Sequence, residues 1–261
     1  MKRFLVTLLA IGCIAVLIAG NKHWKEKTFV AAERNKQEVK VKTEEPEIDS
    51  EEAFIKLAAN WPEQAKKNYQ LALKEGRPFT ILIAGSSNAL GLDDTAWSTI
   101  VKKELEQAYG ETIQVIVKSY DLTSRQFIAE DKLAELITVQ PDVTLLEPFT
   151  LMDNGNVMIS ESHQTIEEIR SALAEANPEH VLMLQPPNPL YQANYYPVQV
   201  EALQKYADEE DIPYLNHWTA WADPDSKDIQ AFLTDGDEST TPSEKGHQVW
   251  AEFIVDYFIE E

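Results

Sequence analysis

The sequence predicts an α/β protein, a three-layer α/β/α sandwich around a five-stranded parallel sheet. Three observations carry this. Apolar runs of four to six residues recur from residue 79 onward, as expected of strands buried on both faces. Stretches with helical apolar spacing separate them. Gly76, Gly85, Gly110 and Pro141 mark junctions between the two kinds of segment.

Ala53 to Tyr69 reads as one or two helices, broken at Trp61-Pro62, and Leu71 to Gly76 closes them. Phe79 to Ala84 is the first strand and stops at Gly85. Trp97, Ile100, Val101, Leu105 and Ala108 then share a helical face that ends at Gly110. Thr112–Val117 is a second strand, Arg125–Val139 a helix, and Val143–Leu146 a third strand. Ile166–Ala176 is helical, His180–Leu184 is a fourth strand, and Val198–Glu210 is helical. Ile212–Leu215 is a short fifth strand. The last helix runs from about Glu244 to Ile259, with Val249, Trp250, Phe253, Ile254, Tyr257 and Phe258 inward. Regular alternation favours a parallel sheet covered on both faces. Functional residues then collect at the carboxyl ends of its strands.

Before this domain (residues 50–261) lie two segments of different character. Lys2-Arg3 precedes an apolar run from Phe4 to Gly20, 17 residues long, at the short end for a spanning helix. We read residues 1–20 as an N-terminal membrane anchor or signal peptide, with the anchor favoured because no small-x-small cleavage site closes the run. Residues 21–49 are polar and rich in Lys and Glu, and read as a tether. The expected location is the cell membrane, with the domain outside the cytoplasm. Residues 51–261 carry 14 Lys/Arg against 37 Asp/Glu, which repels phosphates and sets nucleic-acid binding aside. The one cysteine, Cys13, lies in the apolar run, so the domain has neither a disulfide nor a thiol nucleophile.

The first strand ends in Gly85-Ser86-Ser87-Asn88-Ala89-Leu90-Gly91. This segment resembles Gly-Asp-Ser-x-x-x-Gly, the first block of the SGNH (GDSL-like) hydrolases, with Ser86 in the aspartate position. The resemblance covers roughly residues 79–258. It implies a flavodoxin-like SGNH-hydrolase fold and Ser87 as the nucleophile of an ester hydrolase. A serine on a tight strand-to-helix turn suits that role physically, since its hydroxyl stands near backbone N–H groups. The other reading of Ser86, Ser87 and Asn88 is a helix cap.

The remaining blocks are degenerate. Ser119–Ser124 has no glycine where the family has one for the oxyanion hole. Glu147–Gly155 lacks Gly-x-Asn-Asp, and Asn154 is the candidate oxyanion donor, unless it serves only an Asn-Gly turn. In the last block Thr241 stands where the family's catalytic histidine belongs, and Glu238 where its aspartate belongs. Threonine is no general base at neutral pH. Either His247 acts as base, oriented by Asp235, Glu244 or Glu238, or catalysis is lost and the domain only binds. His217, after the fifth strand, is a further candidate base, while His163 and His180 read as surface residues.

Gln185–Tyr191, Tyr195-Tyr196 and the pair Trp218 and Trp221 suit either sugar faces at a cleft or packing onto the fold. No metal-ligand spacing is present, and no cofactor is expected. The expected partner is an ester substrate, such as O-acetyl groups on envelope polysaccharide or short-chain lipid esters. The alternative is a catalytically impaired module that binds envelope polysaccharide or an assembly partner.

Overall fold

The apolar runs pair as their alternation requires. The computed structural model describes residues 50–91, 93–234 and 240–260 and, among these, forms a sheet of four parallel strands. The strands are β1 (Phe79–Ser86), β2 (Ile113–Tyr120), β3 (Val143–Leu146) and β4 (Val181–Leu184), in the order β2-β1-β3-β4. β1 is therefore interior. Ser86 lies opposite Tyr120 of β2, and Ala84 opposite Leu146 of β3. The strand order switches direction at β1, and the crevice outside its carboxyl end is the expected place for a ligand in such sheets.

The fifth strand is a correction. Ile212–Leu215 runs beside β4 in the parallel sense, but only a Leu184–Tyr214 bridge forms. The Leu184 N–H donates to the Pro213 carbonyl and the Leu215 N–H to the Leu184 carbonyl, both at 2.8 Å. Pro213 has no N–H to extend the ladder, and the chain tightens into a 3-10 turn at His217–Ala220.

The helices are α1 (Ser50–Leu57), α2 (Glu63–Glu75), α3 (Ser87–Leu90), α4 (Trp97–Tyr109), α5 (Ser124–Ala129), α6 (Leu133–Val139), α7 (Thr150–Asp153), α8 (Ile159–Ala176), α9 (Tyr196–Glu209) and α10 (Glu244–Phe258). The predicted helix over Arg125–Val139 is two, because Asp131 adopts φ 56° and ends the first. Period-two alternation assigns the layers. Ile81 and Ile83 of β1, Val143 and Leu145 of β3, and Met183 of β4 pack with Tyr69 of α2, Trp97 and Leu105 of α4, and Trp250 and Ile254 of α10. Leu82, Ala84, Leu146 and Leu184 face the opposite layer, with Phe127, Leu136, Ile169 and Leu203.

The predicted anchor and tether lie outside the described residues, as do Asp235 and Glu238. Among the described residues no helix is long and apolar enough to cross a membrane.

Candidate active site

The turn after β1 is shaped by what its glycines cannot carry. A Cβ on Gly85 would lie 2.8 Å from both the Cβ and the carbonyl oxygen of Glu147. Gly85, the penultimate residue of β1, must therefore be bare for the chain leaving β3 to come this close. Gly91 closes the turn at φ +71°, with Ala96 Cβ 2.7 Å from where its own Cβ would stand. Between them Ser86 holds the N-cap position of α3 without a side-chain cap bond, and Ser87 opens the helix. Ser87 is half-buried, and no described residue hydrogen-bonds its hydroxyl. The first N–H groups of a helix lack intrahelical partners, so the hydroxyl stands beside donors suited to an oxyanion.

Two buried carboxylates tie the neighbouring strand-end loops together. Glu147, directly after β3, takes the Ser86 N–H at 2.8 Å and the Ser86 hydroxyl at 2.6 Å on one oxygen, and the Thr150 N–H at 3.0 Å on the other. Full burial pushes its pKa up to about 7, against the lowering effect of those bonds. Asp153, at the end of α7, takes the Ser124 N–H at 2.8 Å and so links the loop after β2 to the loop after β3. Burial raises its pKa too. Neither residue stood out in the sequence, although a charge ending the run Val143–Leu146 is a signal of its own.

The Asn88 amide reaches Met152 Sδ at 3.4 Å, which brings α3 and α7 side by side. Asn154 follows α7, half-buried, its amide without a described hydrogen bond, and precedes Gly155 at φ +77°. It is thus both a turn residue and a free donor on the loop beside Ser87's turn.

The histidines differ in kind. His217 is fully buried: Nε2 lies 2.8 Å from the Pro186 carbonyl, and Nδ1 accepts from Trp221 Nε1 at 2.9 Å. Its ring stacks on Trp250 at 4.0 Å, and burial drives its pKa down to about 3. Both nitrogens are engaged, so His217 is a core histidine, not a base. His247, in the first turn of α10, accepts from the Trp97 N–H through Nδ1 at 3.3 Å, and its Cε1 lies 3.1 Å from the position of a Gly91 Cβ. Its Nε2 has no described partner.

Burial lowers the His247 pKa, and the Asp93 carboxylate opposes that shift. The Trp97 bond favours the proton on Nε2, whereas a base toward Ser87 needs it on Nδ1. Moving the proton to Nδ1 leaves the buried Trp97 N–H unsatisfied at a cost of about 1–3 kcal/mol, so the ring has to turn away from Trp97 to act as base. No described bond joins His247 to Ser87. Glu244 is exposed at the helix start with no described bond to His247, and Asp235 lies outside the described residues. Thr241 bonds its hydroxyl to that of Thr234 at 2.9 Å.

His163 and His180 are half-buried rather than surface residues: one ring packs on Tyr206, and Nε2 of the other lies 2.9 Å from Thr144 Oγ1. The Gln185–Pro189 loop is buried, and Trp218 Nε1 donates to its Pro187 carbonyl at 2.7 Å. This loop therefore packs onto the fold, whereas Tyr195 is 82% exposed. Among the described residues no group of three or more His, Cys, Asp or Glu is arranged for a metal.

No protein-family model and no curated protein matches the chain. Solved structures do. A peptidoglycan O-acetylesterase aligns at TM-score 0.59 and 11% identity, over 74% of this chain and 94% of its own. An acetylxylan esterase from Geobacillus stearothermophilus aligns at 0.53 and 17%, over 70% and 94%. A GDSL-like lipase from Bacteroides thetaiotaomicron aligns at 0.51 and 16%, over 75% and 98%. At these identities the likeness is one of fold, and that fold is the SGNH-hydrolase fold.

Proposed function

We propose that the protein is a serine ester hydrolase of the SGNH type, anchored by its N-terminal segment and acting outside the cytoplasm on O-acetyl esters of envelope polysaccharide. One observation carries the reading. Ser87, at the carboxyl end of an interior strand, offers a hydroxyl without a described partner, on a turn whose two glycines admit no side chain. Ser87 Oγ attacks the acyl carbon and passes its proton to His247. The sugar oxygen leaves with a proton, and water then hydrolyses the acyl-serine. Asn154 and backbone N–H groups hold the oxyanion, and Asp235 orients the base.

The fold is shared with enzymes named for acetylxylan and for peptidoglycan O-acetyl groups, which supports this substrate class. A domain with 14 basic and 37 acidic residues repels polyanions, which favours neutral acetylated glycans over phosphate-rich polymers.

A binding module is the second reading, and Thr241 at the family's histidine position is what favours it. Fluorophosphonate labelling of the full-length chain separates the two. The esterase reading expects labelled wild type, unlabelled Ser87→Ala, and His247→Gln slowed at least a hundredfold. A folded wild-type protein that takes no label leaves the binding module.

A further inference from the structure

The Ser87 turn is held by a carboxylate that the ester-hydrolysis mechanism does not itself use. Glu147 is 0% exposed, and its backbone N–H donates to the Ala84 carbonyl at 2.9 Å, which fixes where its side chain starts. From there one oxygen takes both the N–H and the hydroxyl of Ser86, and the other takes the N–H of Thr150. All three partners are donors aimed at an acceptor-only group. A glutamine cannot replace it, because its NH2 would face at least one of those donors. A buried carboxylate is also expensive, and an apolar side chain would fill the space at lower cost. What an apolar side chain lacks is direction.

We propose that Glu147 is a positioning residue: it fixes the Ser86 peptide and hydroxyl, hence the direction of the Ser87 side chain, and locks this turn to the α7 turn that leads to Asn154. Its purpose rests on the esterase reading; its geometry does not. The titratable groups that sense it are Asp153 from α7 and the Tyr196 phenol from α9. Protonation turns one of its oxygens into a donor and removes an acceptor, so the lock loosens as pH falls through about 7.

The test compares full-length wild type, Glu147→Gln, Ser86→Ala and the double variant. Two quantities are read: the rate of fluorophosphonate labelling from pH 5 to 9, and amide hydrogen exchange around Ser86 and Thr150. Labelling at least tenfold slower in Glu147→Gln is expected, with Ser86→Ala intermediate and the double variant no slower than Glu147→Gln. The pH limb near 7 disappears in Glu147→Gln, and exchange rises at the two turns but not in the Trp97–Trp250 core. Unchanged labelling and exchange in folded Glu147→Gln overturns the proposal. If that variant does not fold, unchanged labelling and exchange in Ser86→Ala overturns it instead. An unlabelled wild type rejects the esterase reading alone; exchange that rises only at the two turns in Glu147→Gln still upholds the lock, and unchanged exchange removes it.

Discussion

Two glycines of similar positive φ but different surroundings can be compared at the scale of single residues. Gly91 and Gly155 have φ of +71° and +77°, but a Cβ on Gly91 meets Ala96 and His247, whereas one on Gly155 meets nothing within 4 Å. Gly155→Ala should therefore cost only the left-handed backbone penalty of about 1–2 kcal/mol. Gly91→Ala meets a harsher backbone penalty, because φ 71° with ψ 169° is accessible essentially only to glycine, adds overpacking of about 1–3 kcal/mol and pushes on the His247 ring. Urea denaturation reads both, and Gly91→Ala alone should also slow Ser87 labelling. Unchanged Ser87 labelling in folded Gly91→Ala would show that the contact with His247 gives way freely. His247 itself carries two roles, since its Nδ1 satisfies an N–H at the start of α4. His247→Gln should cost about 1 kcal/mol of stability besides its effect on labelling. Because burial lowers the His247 pKa, the acid limb that remains in Glu147→Gln should lie below the ordinary histidine value of 6.5. A limb at or above 6.5 in that variant would deny His247 the role of base.

Between elements, the sheet meets α4 and α10 through aromatic stacking. Trp97 and Trp250 stack at 4.6 Å, His217 covers the other partner at 4.0 Å, and Trp250 Nε1 donates to Gln185 at 2.9 Å. Trp250→Ala should cost about 3–5 kcal/mol by urea denaturation, and Trp250→Phe markedly less. Equal losses would place the stability in the Gln185 bond rather than the stack. These elements were legible in the sequence because their signals are periodic: Trp97, Val101 and Leu105 mark a helix face, and Phe79–Ala84 a buried strand. The nucleophile turn was legible for a similar reason, a short motif after such a strand. The Glu147 and Asp153 links were not legible, because each joins residues tens of positions apart and no local pattern records a partner. His217 shows the converse. Its place after a strand suggested chemistry, but only the surrounding Trp221, Trp250 and Pro186 reveal a sealed core residue. Pro213 cannot extend a ladder, and with it inside Ile212–Leu215 the segment forms a single bridge rather than a strand.

For the whole molecule, the buried titratable groups compete to set how stability depends on pH. Burial lowers the pKa of His163, His180, His217 and His247, with His180 brought to about 4 and His217 to about 3. Below pH 6.5 the unfolded chain takes up protons on these rings that the folded chain refuses. Each ring then removes up to about 1.4 kcal/mol of stability per pH unit, until its folded pKa is passed. Glu147 acts in the opposite sense. With a folded pKa of about 7 against 4.5 unfolded, it binds a proton in the folded chain first, so its contribution is largest below 4.5 and is lost as pH rises through 7. Asp153, also raised by burial, works in the same sense. Between pH 6.5 and 5 the two strongly shifted rings, His180 and His217, outweigh Glu147, while His163 and His247 add to them and stand against Asp153. The melting temperature should therefore fall as pH drops from 6.5 to 5, even though the domain's acidic excess is being neutralised over the same interval. Glu147→Gln removes the opposing group and should make that fall steeper. A melting temperature that holds or rises toward pH 5 would mean that relief of charge repulsion outweighs the buried histidines.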